Sequence, residues 1–189
     1  MNNRQRKGES AQIHTLEGFG AAFVIIFAVL FGLQAAATSS PGTLNQEVAT
    51  YDEKITNDVL LQSKVSGELQ NALLNWTSTD GFNGSDAATY YTGNASSVPG
   101  KFGDTLSILD DENITYNIDL VCDGARYGFV RNGEGGDNPV SSSVAVTLND
   151  DDRLANGTRL ENALSYPCGD ASEDSNLYNV VEVRMTAWR

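Results

Sequence analysis

Residues 18 to 37, GFGAAFVIIFAVLFGLQAAA, form an uncharged run in which Gln34 is the only strongly polar side chain. Twenty helical residues rising 1.5 Å each span roughly 30 Å, the thickness of one hydrocarbon core, so a membrane helix is predicted here. A secretory signal peptide is the competing reading: it would have a shorter apolar stretch followed by a small-residue cleavage site, which Ala35, Ala36 and Ala37 imitate.

Arg4, Arg6 and Lys7 precede the run and the next basic residue is Lys54. The positive-inside bias then keeps the N-terminus in the cytoplasm and puts the rest of a single-pass chain outside the cell. The net charge of −13 is concentrated in that outer part. Such a surface repels phosphate backbones, which removes the main source of nucleic-acid affinity. Scarce lysine against abundant aspartate suits a halophilic organism, where salt screens self-repulsion, and equally an ordinary acidic extracellular domain. About 150 residues follow the run, enough for one domain with a core.

After Pro41-Gly42, apolar residues recur at Val48, Tyr51, Ile55, Val59, Val65, Leu69, Leu73 and Trp76, close to a 3.6-residue period. The spacing predicts an amphipathic helix over 43–76. Residues 77–100, rich in Gly, Ser, Thr, Asn and Asp, read as a surface loop that Tyr90 and Tyr91 anchor. A short helix is expected from Lys101 to Asp110. Strands are expected where Ile114, Tyr116, Ile118, Leu120 and Cys122 alternate, then over 127–131, 140–148 and 178–188, with the last of them central. The fold class that follows is α+β: a long N-terminal membrane-spanning and amphipathic helix packed on a small antiparallel sheet. The domain organisation is a basic leader (1–12), a membrane helix (13–38), the amphipathic helix (43–76) and an extracellular head (77–189).

Cys122 and Cys168 both fall on the outer side, where thiols pair; a disulfide is expected, with two buried free thiols as the alternative. Five Asn-x-Ser/Thr sequons, at Asn75, Asn83, Asn94, Asn113 and Asn156, lie on the same side and are candidate N-glycosylation sites. The single histidine, His14, falls on the cytoplasmic side, so Ser-His or Cys-His chemistry outside lacks a base and zinc lacks its usual ligand. Carboxylate pairs such as Asp110 with Asp111, or the Asn149 to Asp152 run, read as solvated turns rather than as a catalytic dyad or a calcium loop. No catalytic residue, metal or cofactor is expected.

Between the basic cluster and the apolar run stand Lys7-Gly8, then His14-Thr15-Leu16-Glu17-Gly18. A carboxylate at the threshold of a membrane helix is costly unless it stays at the interface or is paired. These elements resemble archaeal type IV pilins and pilin-like proteins, and are most similar to a haloarchaeal pilin-like family with an HTLEG stretch. The resemblance covers about the first 40 residues. It implies that a prepilin peptidase cuts the leader and that Glu17 pairs with a neighbouring subunit's α-amino group during assembly. A cut after Gly8 makes Glu17 the ninth residue, and a cut after Ala11 makes it the sixth. Glu17 as a first-turn acid complementing the helix dipole is the plainer alternative. The implied function is a minor pilin or pseudopilin of a surface filament or secretion system. Its partners would be other pilin subunits, the membrane assembly platform and the lipid bilayer. A membrane-anchored binding module that never assembles is the second reading, and an anchored enzyme a distant third.

Overall fold

The computed structural model describes residues 24–29, 41–78, 80–85, 89–172 and 174–189. The chain divides into two compact units, Met1–Glu47 and Val48–Arg189. In the first, residues 24–29 are helical.

The second unit is an α+β head. Helix α1 (Pro41–Val65) leads into it, and α2 (Glu68–Leu73) and α3 (Lys101–Asp111) lie within it. Strands β1 (Trp76–Thr77) and β2 (Gly81–Phe82) form a small hairpin. Strands β3 (Tyr91–Thr92), β4 (Thr115–Cys122), β5 (Ala125–Arg131), β6 (Val140–Asn149) and β7 (Leu177–Trp188) form one sheet in the order β3-β5-β4-β7-β6.

Two parts of the expected fold are corrected. Among the described residues no helix is long and apolar enough to cross a membrane, and the single long N-terminal helix is not found. The helix expected over 43–76 stops at Val65 because Gly67 turns left-handed (φ 76°), and a separate helix, α2, starts at Glu68. The sheet, moreover, is mixed rather than antiparallel, since β3 runs parallel to β5 with Tyr91 opposite Val130. Strand β7 is interior, between β4 and β6, and β4 is the middle strand.

The stripe expected on α1 is also rotated from the one that packs. Asp52, Thr56, Val59, Leu60 and Ser63 are buried, whereas Val48, Tyr51, Leu61 and Val65 are exposed. The buried set has helical spacing but is largely polar, which a search for apolar periodicity passes over. Its polar atoms are bonded: Thr56 Oγ1 donates to the Asp52 carbonyl (2.9 Å) and meets Ser142 Oγ on β6 (3.0 Å), and Ser63 Oγ donates to the Val59 carbonyl (2.8 Å).

The core lies between the helices and one face of the sheet, where Ile118, Leu120, Val144, Val146, Val183 and Met185 alternate inward. An aromatic chain runs through it from Tyr178 to Tyr166, Trp76, Phe82, Phe129 and Phe102, with centroid separations of 4.6 to 6.1 Å. Helix α3 fits under the preceding turn only because residue 103 is glycine: a Cβ there would sit 1.9 Å from the Val98 carbonyl oxygen.

Candidate functional site

Arg126 and Arg131 are five residues apart, so in a regular strand they would face opposite sides of the sheet. A bulge prevents this. Ile118 pairs with Val130 and Asp119 with Gly128, which leaves Phe129 as the extra residue of β5. Phe129 and Val130 both turn into the core, and both arginines come out on the open face. There they bracket Asp119. Arg126 donates from Nε to Oδ2 (2.7 Å) and again from Nη2, and Arg131 donates from Nη2 to Oδ1.

The Asp119 side chain is 1% exposed against 54% for Arg126 and 36% for Arg131, so the guanidiniums roof the carboxylate and keep their other edges in water. Arg184 on β7 stands opposite Asp119 and donates to Glu182 Oε1 from Nη2 (3.0 Å). Hydrogen bonds from Arg184 and Ser143 hold the Glu182 carboxyl below its usual range. Three arginines thus share the open face of a chain whose net charge is −13.

Arg131 also borders a cleft of about 460 Å³, walled by Trp76, Tyr90, Tyr127, Gly128, Ser165 and Pro167 among others. Strand β5 supplies Tyr127 and Gly128, and the segment entering β3 supplies Tyr90. Pro167 is set by its neighbours. Cys168 is joined to Cys122, at the end of β4, by a disulfide with Cα atoms 5.7 Å apart. Tyr166 Oη donates to the Leu73 carbonyl (3.2 Å), and Tyr178 Oη donates to the Cys168 carbonyl (2.9 Å). Ser165, between Leu164 and Tyr166, is held at φ 66°, a conformation uncommon outside glycine.

The cleft was not legible as a site: of the expected Tyr90-Tyr91 anchor Tyr91 is fully buried, while Tyr90 is half-buried and lines the cleft. The one available signal was the odd spacing of Arg126 and Arg131 within a single strand.

Of the residues singled out in the sequence, Lys7, Gly8, Ala11 and Glu17 lie outside the described residues, as does His14. The expected disulfide is present. Asn83, Asn94, Asn113 and Asn156 are exposed, whereas Asn75 is half-buried and its Nδ2 donates to the Asn83 carbonyl (3.2 Å) and Tyr91 Oη (3.1 Å). Asp110 accepts from the Ala95 amide (2.9 Å). Asp152 caps its own turn, accepting from the Asn149 amide (2.8 Å) and Gln70 Nε2 (3.0 Å). Asp150 Oδ1 is buried with no partner among the described residues; burial, then Asp170, Glu161 and Asp151, pushes its carboxyl above the usual range. Among the described residues no three His, Cys, Asp or Glu side chains are grouped to hold a metal ion.

Taken together, the head is a disulfide-linked α+β domain whose mixed sheet presents an arginine-bearing face beside an aromatic cleft. The chain belongs to a family of unknown function, DUF7288, whose model matches residues 10–187. No curated protein and no solved structure matches it.

Proposed function

We propose that the chain is a pilin-like structural subunit, a minor pilin or pseudopilin of a surface filament or related secretion system. In this reading it is held at the cell membrane through its apolar N-terminal run and displays the acidic, disulfide-linked head outside the cell. The observation that carries it is the helical segment 24–29, where Val24, Ile25, Ile26, Phe27 and Val29 are 52 to 69% exposed. A helix apolar on every side is covered in use by lipid or by other chains. The disulfide supports export to an oxidising compartment, and the Lys7-Gly8 and Glu17 elements supply the resemblance to pilins.

The test is the N-terminus of the membrane-extracted protein in cells with and without the prepilin peptidase. A peptidase-dependent cut between Gly8 and Ile13 supports the reading, with Glu17→Ala then abolishing incorporation into filaments. A terminus at Met1 or Asn2 in both strains overturns it. That result would leave the second reading, a surface binding module that does not assemble, which the cleft beside Arg131 favours.

A further inference from the structure

We propose that the cleft between β5, the segment entering β3 and the Ser165 to Pro167 turn binds a carboxylated sugar, a hexuronic acid unit. Its ring packs on Tyr90 and Tyr127, and its carboxylate meets the Arg131 guanidinium. The site goes beyond the filament reading and stands whether or not the chain assembles.

The two tyrosines set the ligand's apolar requirement. Tyr91, Tyr166 and Tyr178 are buried, each with its hydroxyl bonded and its ring against another ring. Tyr90 and Tyr127 have neither kind of partner among the described residues, although both line the cleft, and Tyr127 is 39% exposed. Aromatic faces left open in a concavity of this size suit the flat C–H faces of a sugar ring, and small-ligand clefts run from about 300 to 1,000 Å³.

Arg131 sets the charge. Its Nη2 is tied to Asp119, which orients the fork, while Nε and Nη1 have no hydrogen-bond partner among the described residues. The guanidinium lies against Gly128, where a Cβ would come within 3.2 Å of Nη2 and 3.3 Å of Nε. Glycine therefore lets the fork lie along the strand at the cleft wall. A fixed guanidinium rejects a cationic ligand and bonds a carboxylate through a charge-assisted pair. A bare phosphate would satisfy the arginine but leave the tyrosine faces wet. A neutral sugar would use the rings and leave the charge unmatched.

The probe is digalacturonic acid, titrated calorimetrically into the full chain in detergent, with the neutral digalactose of the same linkage as comparison. Saturable binding of the acid is expected, with the neutral sugar roughly tenfold weaker or more, as befits one charge-assisted pair. Arg131→Gln, Tyr127→Ala and Gly128→Ala should each weaken the acid by a similar factor. Tyr127 is partly exposed, and the group facing a Gly128 methyl is the end of a flexible side chain, so these two variants should keep the wild-type melting temperature. Absence of saturable binding by the wild type overturns the proposal. So does equal binding of the neutral sugar, or unchanged affinity in folded Tyr127→Ala and Gly128→Ala.

Discussion

Arg189 grips the carboxylate of Asp52 through two nitrogens, Nε at 3.0 Å and Nη2 at 2.9 Å from Oδ1. Asp52 is 4% exposed and sits on α1, so this pair fastens the end of β7 to the helix that leads into the head. Arg189→Ala leaves a buried carboxylate unpaired. The full cost of such a loss is about 3 to 5 kcal/mol, reduced here to roughly 2 kcal/mol because the arginine is a third exposed. Asp52→Asn, which keeps an acceptor and removes the charge, should cost about half as much. Urea unfolding of both variants checks the order.

Asp119 predicts the same asymmetry more strongly. Removing the acid frees two guanidiniums that already touch water, so Asp119→Asn should cost only about 1 kcal/mol. Removing both bases with Arg126→Gln and Arg131→Gln strands a buried charge and should cost about 3 kcal/mol or more. Equal losses in chemical denaturation would contradict the roofed-carboxylate description.

The Cys122 to Cys168 bond closes a loop with a sequence separation of 46. Reduction, or the double substitution to serine, should destabilise the head by roughly 3 to 4 kcal/mol. Because Pro167 adjoins Cys168, reduction should also loosen the cleft wall, seen as broadened NMR signals from Tyr127.

Much of the sheet could be read from the chain because its inner face obeys strict alternation. Ile118 and Leu120, and Val144, Val146 and Leu148, announce their strands and bury as expected. The short helix at 101–111 was visible for a similar reason, since Phe102, Leu106 and Leu109 form one apolar face. What could not be read depends on exceptions to alternation. The buried face of α1 sets Asp52, Thr56 and Ser63 beside Val59 and Leu60; partners far along the chain, Arg189 and Ser142, meet the first two, and Ser63 donates to the Val59 carbonyl. Strand β3 is two residues long and carries no periodicity at all. Arg126 and Arg131 share the open face only because of the bulge at Phe129, where that ring packs against Phe82, Tyr91 and Phe102 with no local turn signal.

Alkaline pH should unfold the head cooperatively. Burial raises the phenols of Tyr91, Tyr116, Tyr166 and Tyr178 above their ordinary value of 10.0. The native state therefore holds these protons more tightly than the unfolded chain, and the stability they confer is complete below pH 10 and falls as pH rises further. Absorbance of tyrosinate should lag in native protein and jump with loss of near-ultraviolet circular dichroism. Free ionisation of these residues in folded protein just above pH 10 would contradict it.

Asp150 has the opposite effect at neutral pH. An acid whose native carboxyl is raised above the unfolded value of 3.8 destabilises the fold once it ionises. Asp150→Asn should accordingly raise the melting temperature at pH 7, more at low than at high salt because its acidic neighbours are then unscreened, and the gain should vanish below about pH 3.8.

The bulge in β5 gives that strand a spare residue. If one position between Arg126 and Arg131 were deleted, the strand could become regular, the interval would shorten to four, and both arginines would still face outward; the loss would be the aromatic contacts of Phe129. The β4–β7 ladder, unbroken from Thr115 opposite Trp188 to Val121 opposite Glu182, has no such slack, and a single-residue deletion in one strand would turn inward residues of that strand, such as Ile118 and Leu120 in β4 or Val183 and Met185 in β7, toward water. Drift in chain length among family members should therefore be absorbed in β5 and in the loop over 132–139, while the middle of the sheet keeps its residue count.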